Sequence, residues 1–140
     1  MHATFDDSLV TGNKLIDSQH MELIGKINKL VDCCEEGRGK IEAIKMLDYL
    51  AEYTEFHFSA EEDLQEKINY PGLAEHRQKH EEFKKAVSEL YAMLDEQEGP
   101  TDAFVEAVNK NVIQWLYGHI KGFDCSVATY MHLNNIPELM

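Results

Sequence analysis

His57 and Glu61 stand four residues apart in the stretch Tyr53-Thr54-Glu55-Phe56-His57-Phe58-Ser59-Ala60-Glu61. At about 100° per residue, a four-residue step returns a side chain to nearly the same helix face, so both groups point one way. That face is otherwise apolar, because Leu47, Leu50, Thr54, Leu64 and Ile68 recur with them at steps of three and four. An ionised carboxylate there is costly unless it is paired or bound to metal. Taken alone, the pair reads as a buried imidazole–carboxylate contact. Three further segments change that reading: His20 lies in the stripe Ile16, Leu23, Ile24, Ile27, Leu30, Val31, His76 and His80 lie with Leu73, Phe83, Val87, Leu90, Leu94, and His119 lies with Val105, Val108, Val112, Trp115, Leu116.

Asp124 follows His119 by five residues, about 140° around an ideal helix. Both side chains face inward only if the helix is widened or unwound between them, and Gly118 and Gly122 make such a deformation cheaper. We therefore expect a π-type bulge or an early helix end near Gly122. Seven inward groups result: His20, His57, Glu61, His76, His80, His119 and Asp124. Five neutral imidazoles and two carboxylates without partners are expensive to bury, whereas a metal compensates both.

Seven side chains exceed one tetrahedral zinc, and no thiolate belongs to the set. Imidazole with carboxylate suits iron, copper, nickel or zinc by ligand type. If Glu61 and Asp124 each bridge two six-coordinate irons together with one solvent oxygen, three histidines complete one ion. Two then leave the other with an open position, where a small diatomic ligand binds. Ferritin-like di-iron carboxylate bundles use Glu-x-x-His pairs, and none occurs here. A zinc metalloprotease is excluded because the His76-x-x-x-His80 pair has Arg77 where the general base would stand.

The elements that must position these groups can be read from the same pattern. Met1 to Lys14 is aperiodic and reads as an extended arm, with His2 solvated. The first helix is expected from about Ile16–Ser18, capped by Asp17 or Ser18, to Glu35-Glu36 before Gly37. The second runs from about Ile41 to Lys67. Asn69-Tyr70-Pro71-Gly72 breaks it, with Pro71 fitting the first turn of the third helix. Glu98-Gly99-Pro100 ends the third, and Thr101 or Asp102 caps the fourth. A short helix and a tail at Asn134-Asn135-Ile136-Pro137 follow, with His132 peripheral. The expected fold is all-α, an antiparallel up-down-up-down four-helix bundle with an N-terminal arm and a short C-terminal helix.

The chain has 140 residues, 44% hydrophobic and 28% charged, which suits a single domain with its own core. A formal net charge of −13 repels phosphate backbones and anionic membrane surfaces, so neither nucleic acid nor membrane is an expected partner. No stretch is long and apolar enough for a membrane span, and we expect a soluble, cytoplasmic protein. Cys33, Cys34 and Cys125 have no metal-site spacing and are expected to be free thiols without a role.

Ile16-Asp17-Ser18-Gln19-His20, the His57-x-x-x-Glu61 pair, Tyr70-Pro71 followed by His76-x-x-x-His80, and Trp115-Leu116-x-x-His119-Ile120-x-x-x-Asp124 together resemble the hemerythrins, most closely the bacterial ones. The resemblance spans nearly all of residues 1–140, as a single hemerythrin-like domain. It implies two iron ions with an oxo or hydroxo bridge. His76, His80 and His119 would hold one iron, His20 and His57 the other, with Glu61 and Asp124 bridging. It also implies reversible dioxygen binding at the iron held by His20 and His57, and an apolar dioxygen pocket lined by Trp115, Leu116 and Ile120. Phe5 stands where the relatives often have tryptophan. Gln65 stands where methionine is expected, and it either reaches the pocket or a ligating group or turns to solvent. The expected role is an oxygen carrier, storage or scavenging protein rather than an enzyme. The alternatives are a sensor domain acting on a signalling partner or fused output domain, or a di-iron oxidase or peroxide or nitric oxide reductase. With no output domain in the sequence, we expect a free-standing binder.

Overall fold

The computed structural model describes residues 2–97 and 99–136, so the expectations touching Met1, Glu98 and Pro137 lie outside the described residues. Helix α1 is Lys14–Glu35, α2 is Lys40–Lys67 and α3 is Leu73–Glu96. The fourth helical stretch is unbroken from Asp102. It comprises α4 (Asp102–Val108), a π-helical segment at Asn109–Gln114, α5 (Trp115–His119), a second π segment at Ile120–Asp124, and α6 (Cys125–Leu133). Helices pack in ring order, α1 on α2, α2 on α3, α3 on α4 and α4 on α1, and no strand occurs among the described residues. No described helix is long and apolar enough to cross a membrane.

Local chemistry sets the helix ends, and in three places it departs from expectation. Helix α1 begins two residues early because Asn13, not Asp17 or Ser18, is the cap: its Oδ1 accepts the Ile16 N–H at 3.1 Å. Asp17 instead turns back, accepting from the Thr11 and Gly12 N–H groups at 2.9 and 3.2 Å and from the Thr11 hydroxyl at 2.7 Å. Pro71 lies in the turn before α3, where Gly72 is the cap residue, and not in the helix itself. The short C-terminal helix is not separate, since α6 continues directly from the second π segment. Elsewhere the signals hold. Asn69 takes a left-handed φ of 57° and lets the Tyr70 N–H reach Gln65 O at 2.8 Å, closing α2. Thr101 caps α4 by accepting the Phe104 N–H at 3.1 Å.

The arm lies over the bundle as expected, pinned by Ala3 N–H to Asn28 Oδ1 (2.8 Å) and Thr4 N–H to the Tyr117 hydroxyl (2.9 Å), with Ala3 and Leu9 buried, but it is not extended throughout, since Asp7–Leu9 form a 3-10 turn and Lys14 belongs to α1. His2 is exposed but pairs with Asp32 at 2.5 Å. The main apolar core gathers Leu23 to Cys33 of α1, Ala43 to Phe58 of α2, Phe83 to Leu94 of α3, and Phe104 to Ile120 of the fourth stretch. A smaller cluster of Leu64, Val127 and Met131, with Ile68, Tyr70 and Ile136 against it, closes the other end. Between the two lie the start of α1, the end of α2, the start of α3 and the end of the fourth stretch. Successive helices therefore run in opposite directions, which brings four segments distant in sequence to one level of the bundle. Phe104 is buried and Val105 only half-buried, because the first π segment rotates the face that the regular period had assigned. The three cysteines are free, and burial pushes the Cys34 thiol up to about 11.

Candidate metal centre

All seven expected groups meet at that level, each no more than 4% exposed. They fall into two sets whose candidate ligand atoms lie within 4.8 Å of one another: Glu61, His76, His80, His119 and Asp124, and His20, His57, Glu61 and Asp124. The two acids belong to both sets. His20 and Asp124 face each other as Nε2 to Oδ2 at 2.8 Å, whereas Asp124 Oδ1 faces His76 Nε2 at 2.9 Å and His119 Nε2 at 3.3 Å. Glu61 Oε1 lies 3.1 Å from His57 Nε2 and 3.5 Å from His80 Nε2.

The second π segment brings Asp124 into this cluster. The Cys125 N–H bonds to Ile120 O, five residues back, so the turn is widened and residues five apart share a face. On a regular helix the carboxylate of Asp124 would point away from His119.

Outside the cluster, protein groups fix the rings. His57 Nδ1–H donates to Gln19 Oε1 at 2.7 Å, and His80 Nδ1–H donates to Glu62 Oε2 at 2.7 Å. Each leaves its ring's Nε2 aimed inward with a free lone pair, the arrangement by which outer partners orient metal-ligating histidines. Phe58 stacks on His80 with centroids 3.8 Å apart and planes 4° from parallel. His119 has no such hydrogen bond but stacks on Trp115 (4.5 Å, 12°) and on Phe123 (5.3 Å, 14°). Gln65 is buried, with its amide nitrogen 2.8 Å from His76 Nδ1, so it reaches a ring of the cluster and does not turn to solvent. Leu116 and Ile120 are buried in the main core, while Trp115 is half-buried with its indole N–H 3.4 Å from Glu82.

Gln19, Glu62, Phe58 and Phe123 were not singled out from the sequence. Gln19 carried a signal: it lies three residues after Ile16 and four before Leu23, a polar group within an apolar stripe. Glu62 did not, since it is one of many acids on an outer face.

Burial drives the Glu61 carboxyl well above the usual glutamate range, and the charge of Asp124 adds to this. The same burial opposes ionisation of Asp124, but His119, His20 and His76 hold it well below its ordinary value. One acid thus keeps a proton where the other keeps a charge. Burial pushes His57 down to about 4 and lowers His80 and His119 as well, so these rings are neutral and able to ligate. For His76 burial also acts downward, but Asp124 outweighs it and the ring is raised.

The cluster does not satisfy itself. His20 Nε2, Glu61 Oε1, His80 Nε2 and both Asp124 carboxylate oxygens are buried without a hydrogen-bond partner, among the described residues. Leaving such atoms unpaired costs on the order of 1–3 kcal/mol each. All five are candidate ligand atoms, and all are N or O donors of borderline to hard character, so the residues fit divalent first-row cations.

Residues 11–124 match the hemerythrin HHE cation binding domain. The chain is 31% identical over 136 residues to a bacteriohemerythrin of Stenotrophomonas maltophilia (strain R551-3), covering 96% of this chain and 86% of that one. It is 37% identical over 120 residues to a myohemerythrin of Riftia pachyptila, covering 86% of each. A crystal structure of a hemerythrin mutant superimposes with a TM-score of 0.77 at 25% identity, covering 90% of this chain and 94% of that one.

Proposed function

Because the chain belongs to the hemerythrin family, we propose that it binds dioxygen reversibly at a pair of iron ions, as a carrier, storage or scavenging protein. The supporting observation is the sharing of Glu61 and Asp124 by two sets of imidazoles, three in one and two in the other. In this reading His76, His80 and His119 would hold one iron and His20 and His57 the other, with Glu61 and Asp124 available to both. When bound, the ions supply reversible electron transfer to dioxygen, which no side chain of the chain provides.

The protein's own groups do the rest. Gln19 and Glu62 hold His57 and His80 in the tautomer that presents Nε2. Leu116 and Ile120, fully buried beside His119 in sequence, keep water from the centre and so favour binding over oxidation. Trp115 contributes to that wall by covering His119. Asp124 supplies a fixed negative charge, and Glu61 a second one once its proton leaves. Few carboxylates mean little anionic charge to stabilise highly oxidised iron, which favours a binding role over an enzymatic one. The acidic surface of a chain with net charge −13 suits a cytoplasmic protein whose partner is a small gas and not nucleic acid or membrane.

Anaerobic loading with ferrous iron, then air exposure and degassing under visible spectroscopy, tests the proposal. The expected result is two irons per chain and a charge-transfer band that forms in air and disappears on degassing. Irreversible conversion to a ferric form would overturn reversible binding.

A further inference from the structure

One contact at the centre is set the wrong way for metal binding. The amide nitrogen of Gln65 lies 2.8 Å from His76 Nδ1, while Gln65 Oε1 is buried with no partner among the described residues. An amide N–H that donates to Nδ1 uses that nitrogen's lone pair, so although Asp124 favours a charged ring, His76 in this contact holds one proton, on Nε2. Nε2 is the atom turned toward Asp124 Oδ1 and His119 Nε2, at 2.9 and 3.0 Å. A ring protonated at Nε2 directs that proton between His119 Nε2 and Asp124 Oδ1 and has no lone pair there for a cation. His57 and His80 have the opposite arrangement, because Gln19 and Glu62 present oxygen to their Nδ1.

A carboxamide offers both chemistries from one site. Turned by 180° about its last bond, Gln65 places Oε1 where Nε2 now lies, giving the unpartnered oxygen a donor and moving the ring proton to Nδ1. The ring keeps one proton in either state. We propose that Gln65 is a positioning residue for His76, selecting by the orientation of its amide between a metal-free form, in which His76 Nε2–H faces Asp124, and a loaded form, in which Gln65 Oε1 accepts from Nδ1–H and Nε2 ligates. The inference rests on the di-iron reading and deepens it. A methionine at this position offers no comparable acceptor, so the glutamine gives this chain an outer partner on a third histidine.

The test compares the unaltered protein with Gln65→Met and Gln65→Glu, each loaded anaerobically with ferrous iron and then exposed to a chelator. Gln65→Met removes the acceptor at similar volume, and Gln65→Glu keeps an acceptor but has no donor. Iron loss is expected to be about 10- to 100-fold faster in Gln65→Met and within about threefold of the unaltered protein in Gln65→Glu. In the loaded proteins, the exchangeable His76 Nδ1–H resonance should persist in the unaltered protein and Gln65→Glu and exchange at least about tenfold faster in Gln65→Met. Equal iron loss in all three, or a Gln65→Glu protein as leaky as Gln65→Met, overturns the proposal while leaving the di-iron reading intact. An unaltered protein that takes up no iron overturns the di-iron reading itself, and this inference with it.

Discussion

His119 and Asp124 are five residues apart, yet their Nε2 and Oδ1 atoms face each other at 3.3 Å. The π segment between them makes this possible, and it gives the carboxylate its position between two groups of rings. Asp124 directs one oxygen to His20 and the other to His76 and His119, so it touches both halves of the site. Glu61 touches both through Oε1.

Replacing these acids separates metal binding from folding. Asp124→Asn and Glu61→Gln should each lower iron content from two per chain toward one or none, measured by metal analysis after anaerobic loading. In the metal-free protein the two differ. Asp124 is held ionised among imidazoles, so its loss leaves buried partners uncompensated and costs about 3 kcal/mol. Glu61 is raised and keeps a proton, so Glu61→Gln changes the metal-free urea midpoint little near pH 4.5. Full iron occupancy in both variants would contradict the shared role of the acids.

The pH dependence of the metal-free protein follows from the same groups. A free histidine titrates near 6.5 and burial brings His57 down to about 4, so between these the unfolded chain binds more protons and stability falls as pH is lowered. That contribution is fully present above 6.5 and, on the order of 3 kcal/mol, is gone below 4. Glu61 acts oppositely: its folded value is raised, so the native state holds the extra proton above 4.5 and stability is lost as pH rises. Removing that opposing slope with Glu61→Gln should make the metal-free urea midpoint climb more steeply between about pH 4.5 and 7 than in the unaltered protein. A shallower climb in the variant would place the buried proton elsewhere.

Most of this arrangement was legible because buried histidine is unusual at helical spacing. Every expected ligand position but one fell on an apolar stripe, and that one, Asp124, broke the period and pointed to the π segment that the structure contains. The first π segment, Asn109–Gln114, left no comparable trace, since it rotates one apolar side chain out and another in without displacing a charged group. Asn13 was missed as a cap because Asp17 and Ser18 are equally good cap residues, and only the contact of Asp17 with Thr11 shows that its carboxylate turns back and leaves the cap to Asn13. Outer partners such as Glu62 depend on which helix lies opposite, information that periodicity within one segment does not contain.

Gln19 and Glu62 serve different halves of the site, so their loss should be separable. Glu62→Ala frees His80 Nδ1 and also removes an acceptor of Arg77, whose Nε lies 3.2 Å away. Gln19→Ala frees His57 Nδ1. Each should speed the loss of one iron by about tenfold or more while the second leaves at its original rate, giving biphasic release to a chelator. Uniform, single-phase release from both variants would mean that the outer hydrogen bonds do not act on one ring each.

Trp115 is the single tryptophan of the chain, and its ring stacks on His119 at 4.5 Å, so its emission reports on one half of the centre. An open-shell ion at a stacked imidazole quenches an adjacent indole efficiently, whereas the outer side of the ring faces Glu82 and solvent and is untouched by loading. Anaerobic titration with ferrous iron should therefore reduce tryptophan emission severalfold, with an end point set by filling of the three-histidine set. In His119→Ala the residual quenching should be smaller, and in His20→Ala, on the far set, it should be nearly that of the unaltered protein. Quenching that disappears in His20→Ala but survives in His119→Ala would reverse the assignment of Trp115 to the three-histidine side.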